Sequence, residues 1–298
     1  MIRPVAAETD RPVLLRADRV TRVFGAFTAV DDVTMRVGPG EVVGLLGANG
    51  AGKTTLIRML LGLLATTTGD VELLGGPPDR ELRRRLGYVP QGLGLYRDLT
   101  VRENLAFSTQ AYGAVQPDLP EALRAGADRL ITDLPLGLQR RLAFLCALAH
   151  DPKVLVLDEP TSGVDALARA ALWDTIHEQA ETGVGVLVTT HNMAEAEQCD
   201  RLLLMSAARL VAQGSEADII GATTAVAVRT SDWARAFAVL NEAGQPVMLA
   251  GRDVRVADSD ADQVRSVLAA AGLTAEVVGV PATIEERMMV LARAPLAP

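Results

Sequence analysis

The stretch from Gly47 to Thr55, GANGAGKTT, has the residue types and spacing of a loop that binds phosphate. Its glycines let backbone N–H groups close around phosphate oxygens, where side chains would block the approach. Lys53 is placed to reach the β- and γ-phosphates of a nucleotide, and the Thr54 hydroxyl to bind Mg²⁺. The predicted nucleotide-binding residues of this loop are Gly47, Asn49, Gly50, Ala51, Gly52, Lys53, Thr54 and Thr55. The alternative is a glycine-rich turn that binds nothing.

The segments on either side of this loop favour phosphate binding. Residues 41–47, EVVGLLG, form a continuous apolar run that ends in glycine, which is typical of a strand buried on both faces. Residues 54–64, TTLIRMLLGLL, have helical spacing, and a helix that begins at Lys53 points its positive dipole end at the phosphates. A strand, this loop and a helix in succession are the structural context that the motif requires.

Two adjacent carboxylates supply a second set of candidate residues. Asp158 and Glu159 follow the apolar run 154–158, VLVLD, at the carboxyl end of a predicted buried strand, where ligands bind in open α/β sheets. Asp158 is suited to hold Mg²⁺ through water, and Glu159 to orient and polarise an attacking water. Alone, such a pair is more often a solvated strand end. Beside a phosphate loop it predicts that the chain binds and hydrolyses a nucleotide.

The elements that must position these residues alternate along the chain. Residues 184–190 and 201–205 are further candidates for buried strands, and a helical pattern covers 166–181. Alternation of this kind predicts an α/β fold with a parallel sheet wrapped by helices. Residues 12–38 instead alternate apolar and polar positions, which predicts antiparallel strands.

The pattern changes after residue 220, and we predict a second domain over 221–298, with 12–220 as the nucleotide-binding domain and 1–11 as a tail. Strand and helix patterns follow in the order βαββαβ, which is typical of a small split-βαβ sandwich. A last helical pattern, TIEERMMVLAR, closes the chain. The first domain carries every candidate site residue.

Composition limits the possible partners. The 298 residues carry a net charge of −8 with a pI near 5.0, which argues against a DNA-coating surface, so we expect no nucleic-acid partner. The start of the chain lacks the apolar segment of a secretion signal, and no run of 18 apolar residues occurs. Cys146 and Cys199 form no CxxC pair, so we expect two core thiols in a reducing cytosol. If the protein acts at a membrane, a partner must supply the membrane helices.

The order of motifs resembles that of the ATP-binding subunits of ABC transporters, from about residue 12 to 216. GANGAGKTT is followed by YVPQ, LDEPTSGVD and VTTHNM with the spacing of that family. The resemblance implies a P-loop NTPase core with an antiparallel β-subdomain and a helical subdomain at about 92–150. It also implies ATP and Mg²⁺ as cofactors, a membrane permease as partner, and a second ATP-binding subunit, with a homodimer expected. The protein would then lie in the cytoplasm, peripheral on the inner face of the cell membrane.

The resemblance assigns roles to further residues, position by position. Phe24 resembles the aromatic residue that stacks on adenine, with simple strand packing as its alternative. Gln91 resembles the glutamine that meets Mg²⁺ and the membrane partner, and His191 the switch histidine at the γ-phosphate. The D-loop residues are Ser162, Gly163 and Asp165. The predicted catalytic residues are Glu159, His191 and Gln91, and the predicted metal-binding residues are Thr54, Gln91 and Asp158.

The stretch LPLGLQRRL, 134–142, lies where the family carries LSGGQ, the signature that caps the ATP of the partner subunit. Pro135 replaces the serine, Leu136 the first glycine and Gly137 the second, with Leu138 after them. We expect Pro135 at the first helical position, with the N–H groups behind it and the helix dipole serving the phosphate. This form is similar to that of ABC-2-type drug and antibiotic export ATPases. A plain helix start, or an inactive site in a heterodimer, is the alternative.

The resemblance therefore implies an ATP-hydrolysing subunit that powers a permease, exporting a drug-like or other hydrophobic substrate. The segment after residue 220 resembles the accessory domain of antibiotic-export ATPases in this family. A catalytically weak, regulatory subunit of a heterodimer is one alternative. A non-transport ABC ATPase acting on nucleic acid or ribosomes is another, but it would need a long coiled coil, zinc-binding cysteines or tandem cassettes.

Overall fold

The computed structural model describes residues 12–293, so the predicted tail at 1–11 lies outside the described residues. The chain divides into two compact units between Leu210 and Val211. The boundary that we predicted after residue 220, from the change of sequence pattern, stays a prediction.

From residue 12 onward, the first unit contains nine strands, the last of which crosses the division, and seven α-helices. The strands are β1 (Leu15–Phe24), β2 (Phe27–Val37), β3 (Val42–Leu46), β4 (Thr68–Leu73), β5 (Leu86–Val89), β6 (Val154–Asp158), β7 (Gly185–Thr190), β8 (Arg201–Ser206) and β9 (Arg209–Gly214). The helices are α1 (Lys53–Leu60), α2 (Arg80–Arg83), α3 (Val101–Tyr112), α4 (Glu121–Arg124), α5 (Leu136–Leu148), α6 (Ala166–Glu181) and α7 (Met193–Ala196).

A six-stranded sheet forms the centre of the first unit, in the order β5-β6-β7-β3-β8-β9. The neighbouring pairs from β5 to β8 are parallel, as predicted. Every residue of β3, β6 and β7 is buried, because α1 packs on one face of the sheet and α6 on the other. Parallel strands covered on both faces have continuous apolar sequences, which is why these strands were recognisable in the sequence.

A separate three-stranded antiparallel sheet has the order β2-β1-β4. Strands β1 and β2 confirm the antiparallel prediction for residues 12–38. Strand β4 was missed because its sequence, TGDVEL, has one fully buried position and little apolar pattern.

The helix predicted over 54–64 is shorter in the structure, since α1 ends at Leu60. Gly62 has φ of +64°, and a Cβ atom there would lie 2.5 Å from the carbonyl oxygen of Pro78. The chain therefore turns at Gly62 and cannot continue the helix, although the apolar spacing runs on.

Between β5 and β6 the chain forms helices α3, α4 and α5, which share a small apolar core of their own. A capping box at Thr100 and Glu103 begins α3, and Gly113 in the left-handed region ends it. Hydrogen bonds from Thr100 lower the pKa of the Glu103 carboxyl. No helix within residues 12–293 has the length and apolar character needed to cross a membrane.

Both cysteines are free and only partly accessible. Burial raises the pKa of the Cys146 and Cys199 thiols to about 12. Thiols of this kind stay protonated at neutral pH and are poor nucleophiles. The structure therefore agrees with a packing role for both residues.

The second unit has the predicted βαββαβ order. Its elements are α8 (Glu216–Ile220), β10 (Thr224–Arg229), α9 (Trp233–Glu242), β11 (Val247–Ala250), β12 (Asp253–Ala257), α10 (Ala261–Ala270), β13 (Glu276–Pro281) and α11 (Ile284–Arg293). The strands form an antiparallel sheet in the order β11-β12-β10-β13, and α9 and α10 share an apolar core with it. This strand order is that of a split-βαβ sandwich.

A buried ion pair joins the start of α11 to this sheet. Glu286 is fully buried, and its two carboxylate oxygens accept from Arg255 Nε at 2.7 Å and Nη2 at 2.9 Å. The Thr283 N–H also donates to Glu286, at 2.7 Å, and the carboxylate raises the pKa of Arg255. The closing helix is thus held by a bidentate pair as well as by apolar packing.

Candidate nucleotide-binding site

A cavity of about 380 Å³ opens above the loop that joins β3 to α1. Its lining combines that loop with residues from β2, from the loop after β5 and from the end of β6. The lining residues are Phe27, Ala29, Asn49, Gly50, Gly52, Lys53, Thr54, Thr55, Gln91 and Glu159. The cavity therefore brings together residues that are far apart in the sequence.

At two positions of the loop, another part of the backbone comes so close that only glycine can be accommodated. Gly47 has φ of +154° and Gly52 has φ of +103°. A Cβ atom on Gly47 would lie 2.4 Å from the carbonyl oxygen of Met205, and one on Gly52 would lie 2.3 Å from that of Ala29. Only glycine fits both positions. Helix α1 begins at Lys53, as predicted, so its N-terminus points into the cavity that Lys53 lines.

Lys53 is buried beneath the loop, with 7% of its surface exposed. Its Nζ donates to the carbonyl oxygens of Gly47 at 2.6 Å and Ala48 at 3.2 Å. Burial lowers the pKa of the ammonium, although the carboxylates of Glu159 and Asp158 oppose that shift. The lysine lies where a phosphate in the loop would meet it.

Asp158 connects the two motifs that the sequence suggested separately. One carboxylate oxygen accepts from the Thr54 hydroxyl at 3.2 Å, and the other from the Thr189 hydroxyl at 2.7 Å. Asp158 is buried at the end of β6 and Thr189 lies near the end of the neighbouring strand β7. The sequence analysis did not identify Thr189. The signal available in the sequence was the polar pair Thr189 and Thr190 at the end of an apolar strand.

The oxygen atoms around Thr54 and Asp158 suit Mg²⁺. A hydroxyl, a carboxylate and the nearby Gln91 amide are the hard oxygen ligands that this ion prefers. Among residues 12–293, no cluster of three His, Cys, Asp or Glu side chains could hold a metal by itself. A single carboxylate with substrate phosphates is the usual Mg²⁺ arrangement in nucleotide sites. When bound, the ion would neutralise charge on the phosphates.

Glu159 faces the other two predicted catalytic residues. The Gln91 Nε2 donates to its Oε2 at 3.4 Å, and His191 Nδ1 lies 3.4 Å from its Oε1. Glu159 has φ of +52°, a costly conformation for a residue with a side chain, and the Thr189 hydroxyl accepts from its N–H at 2.9 Å. The strained backbone is therefore fixed by a hydrogen bond from the next strand.

Two phenylalanines flank the hairpin turn between β1 and β2 and pair directly across it. Phe24, the predicted adenine-stacking residue, is 45% exposed, and the Arg22 guanidinium lies 4.5 Å above its ring. Phe27 is 64% exposed and lines the cavity. Sequence reasoning missed Phe27, although an aromatic residue on each side of a Gly-Ala turn was a usable signal. The adenine role of Phe24 stays a prediction.

The signature stretch begins α5, but Pro135 is the residue before the helix and not its first residue, which corrects our expectation. Its φ of −54° and ψ of 145° place it in the extended region, and its carbonyl accepts from Leu138 and Gln139. Proline has no N–H group, so Pro135 cannot itself donate a hydrogen bond to a phosphate. The N–H groups without a partner inside the helix begin at Leu136, the first residue of α5. Leu136 is 38% exposed.

Within the chain, the start of α5 packs on the D-loop. A Cβ atom on Gly137 would lie 3.3 Å from that of Ala168, and one on Gly163 would lie 3.0 Å from Leu136 Cδ2. Asp165 caps α6 by accepting from the Ala168 N–H at 2.9 Å. The signature stretch and the D-loop thus form one surface of the chain.

A parallel sheet with a glycine-rich loop between strand and helix, a buried lysine, and a carboxylate at the carboxyl end of a second parallel strand of that sheet defines a P-loop nucleoside triphosphatase. The model of the family described as ABC transporter matches residues 30–162. A solved structure described as the ATP-binding subunit of an ABC transporter is 32% identical, with a TM-score of 0.62. It covers 69% of this chain and 91% of that one.

Two curated relatives narrow this class. The probable multidrug ABC transporter ATP-binding protein YbhF of Escherichia coli K12 is 43% identical over 223 residues, covering 71% of this chain and 39% of that protein. The Nod factor export ATP-binding protein I of Paraburkholderia xenovorans LB400 is 42% identical over 216 residues, covering 68% of this chain and 71% of that protein. The chain belongs to the ATP-binding proteins of ABC transporters, a family of ATP-hydrolysing subunits. Its aligned part spans under half of YbhF.

Proposed function

We propose that this chain binds ATP with Mg²⁺ and hydrolyses it as the motor subunit of an export permease. The observation that carries the proposal is the arrangement around Asp158 and Glu159. Asp158 is bonded to the Thr54 hydroxyl at the start of α1, and Glu159 faces Gln91 and His191 at the edge of the same cavity. This arrangement supports roles for Asp158 in magnesium binding and for Glu159 in polarising water on one side of the phosphate loop.

In this proposal each residue has a defined task. The loop N–H groups and Lys53 hold the phosphates, and Thr54, Asp158 and Gln91 provide oxygens to the ion. Glu159 accepts a proton from, or orients, the attacking water, while His191 lies 3.4 Å from Glu159 and contacts the γ-phosphate. Burial of Asp158 and of Lys53 strengthens the electrostatic interactions among these groups.

We propose a homodimer as the working state, with the signature residues Pro135 to Leu138 of each copy at the ATP of the other. The packing of α5 on the D-loop supports this, because it gives one chain a continuous surface that carries both motifs. The free N–H groups at the start of α5 offer the phosphate an electropositive helix end.

We propose a membrane permease as the second partner, which places the chain on the inner face of the cell membrane. The loop that follows Gln91 borders a cleft of about 290 Å³ with Tyr96, Phe107 and Tyr112 in its lining. Tyr96 and Phe107 are each 49% exposed and pack edge to face at 4.6 Å. Exposed aromatic pairs of this kind are enriched at protein interfaces, which supports a partner contact beside Gln91.

A drug-like or other hydrophobic molecule is the proposed cargo. One curated relative is described as a probable multidrug ABC transporter ATP-binding protein and the other as a Nod factor export ATP-binding protein, which supports this cargo. The second unit, with its split-βαβ sheet, is proposed as an accessory domain of the exporter. Its role in that assembly follows from the sequence resemblance alone.

The test is ATP hydrolysis by the purified chain, with Mg²⁺ and with a chelator, alone and with the membrane protein that co-purifies with it. We expect magnesium-dependent hydrolysis that rises when the membrane protein is added, and ATP-dependent movement of a hydrophobic dye across reconstituted vesicles. A chain that binds ATP and hydrolyses none in either setting would contradict the motor role and favour a regulatory subunit.

A further inference from the structure

A buried carboxylate lies behind the catalytic loops and has no part in the mechanism described so far. Glu195, in α7, has 4% of its surface exposed. A buried carboxylate is costly unless several donors satisfy it. The contacts of Glu195 therefore show which parts of the chain depend on it.

Its two oxygens accept from two hydroxyls, one in the loop after β6 and the other at the end of β7. Oε1 accepts from Thr161 at 2.5 Å, and Oε2 accepts from Thr190 at 2.7 Å. Thr161 lies two residues after Glu159 and directly before the D-loop, while Thr190 directly precedes His191. Both threonines are 3% exposed. One carboxylate thus joins the segment after the catalytic glutamate to the residue before the switch histidine.

Further contacts make this arrangement rigid. Thr190 also accepts from the Asn192 N–H at 2.9 Å, which fixes the chain on both sides of His191. Asn192 Nδ2 donates to Glu195 at 3.4 Å, and Arg169 Nε lies 3.5 Å from the same carboxylate and balances its charge. Three hydrogen-bond donors, from Thr161, Thr190 and Asn192, and the Arg169 cation therefore converge on one side chain.

The segment that contains Thr161 is also held from its other side. Arg140 in α5 is 4% exposed, and its Nε and Nη2 donate to the carbonyl oxygen of Ser162 at 3.1 Å and 2.6 Å. Burial lowers the pKa of Arg140, while Glu159 and Glu195 oppose that shift. Arg140 in α5 and Glu195 in α7 thus hydrogen-bond to two adjacent residues of the same loop, Ser162 and Thr161.

We propose that Glu195 is a positioning residue that fixes the D-loop and the switch-histidine loop to one another, so that Glu159 and His191 keep their relative placement during hydrolysis. The proposal rests on the proposed function, since it assigns Glu195 a task in ATP hydrolysis. Glu195 is not among the residues that line the cavity, and in this proposal it acts through Thr161 and Thr190. ATP binding therefore does not depend on it directly.

Glu195→Gln tests the proposal with little change of shape. The amide nitrogen donates and does not accept, so one of the two threonine hydroxyls must reorient or lose its partner. We expect kcat to fall by about tenfold to a hundredfold, because small displacements of catalytic groups carry losses of that order. The KM for ATP and the affinity for ATP without hydrolysis should change by less than about twofold.

Hydrogen exchange supplies a readout that does not require activity. In Glu195→Gln, deuterium uptake should accelerate in 161–165 and 190–193, and stay unchanged in the phosphate loop. Glu197→Gln is the matched control, because Glu197 follows two residues later and is exposed. It should leave kcat and exchange at wild-type values.

A double-mutant cycle keeps the proposal testable if Glu195→Gln does not fold. Thr161→Val and Thr190→Val each remove one hydroxyl, and together they should cost clearly less than the product of their separate kcat losses. Wild-type kcat and exchange in Glu195→Gln, or independent effects of the two threonines, would overturn the proposal. A wild-type chain without ATPase activity would contradict the proposed function instead, and the exchange experiment would still decide the inference.

Discussion

Lys53 Nζ donates to the carbonyl oxygen of Gly47 at 2.6 Å, so the lysine spans the loop that it helps to form. A second bond, to Ala48 at 3.2 Å, completes this contact. The carbonyl oxygens thus hold the ammonium where phosphate oxygens would otherwise bind it. Nucleotide binding exchanges two neutral acceptors for charged ones, and charge-assisted hydrogen bonds are the stronger kind.

Lys53→Ala should therefore reduce ATP affinity by at least about tenfold, or about 1.4 kcal/mol, because the side chain is the cation that the phosphates meet. Lys153→Ala is a matched control, since Lys153 is exposed and lies outside the cavity lining. Titration with a fluorescent ATP analogue measures both. Equal affinity in Lys53→Ala and in the wild type would remove the phosphate-loop assignment.

ATP affinity should also decline at alkaline pH. Burial lowers the pKa of Lys53 from 10.5, so in the free protein the ammonium loses its proton earlier than an exposed lysine does. Because ATP binds the charged form better, affinity should start to fall below pH 10.5 as pH rises through the lowered pKa. Lys53→Ala should bind weakly without this decline. An identical alkaline decline in both proteins would show that another group titrates.

Glu159→Gln should bind ATP and hydrolyse it far more slowly, by at least about a hundredfold, since the amide cannot accept a proton from water. The variant should accumulate as an ATP-bound dimer, which size-exclusion chromatography with and without ATP detects. Turnover at the wild-type rate would exclude Glu159 from the mechanism.

Substitutions at the start of α5 distinguish an effect of negative charge from an effect of side-chain volume. Gly137→Asp should abolish most ATP hydrolysis, because it places a carboxylate against phosphate at the expected dimer interface. Gly137→Ala controls for bulk, since its Cβ meets Ala168 at 3.3 Å and the neighbour must shift slightly. Pro135→Ser should be mild, because it adds a hydroxyl beside the N–H groups that we propose to serve the site.

The alternative for these variants is a pure effect on folding, of about 1 kcal/mol for a substitution at a helix start. ATPase rate and melting temperature, measured together, distinguish the two. If Gly137→Asp melts normally and still hydrolyses ATP, the LPLG stretch is only a helix start.

A chain that ends after Gly221 should fold and bind ATP. It keeps β9 (Arg209–Gly214), the last strand of the six-stranded sheet, and every candidate site residue lies before this end. Circular dichroism and ATP titration of the truncated chain check this. Insolubility, or loss of ATP binding, would show that the second unit completes the nucleotide-binding domain.

The sequence by itself determined the loop, the strands that lead to it and the alternation of the second unit. GANGAGKTT is a local motif, so its geometry follows from nine consecutive residues, and α1 begins at Lys53 as that motif predicts. Strands β3, β6 and β7 were readable because burial on both faces leaves an unbroken apolar run. Strand β4, at the edge of the three-stranded sheet, lacks that run.

Only the tertiary structure decided which distant residues meet. Thr189 reaches Asp158, and Glu195 reaches Thr161, because parallel strands end at the same edge of the sheet although long stretches of chain separate them. Such partners have no fixed spacing in a sequence, since the intervening helices and loops set it. For the same reason the sequence did not show that Arg140 of LPLGLQRRL donates to the carbonyl oxygen of Ser162.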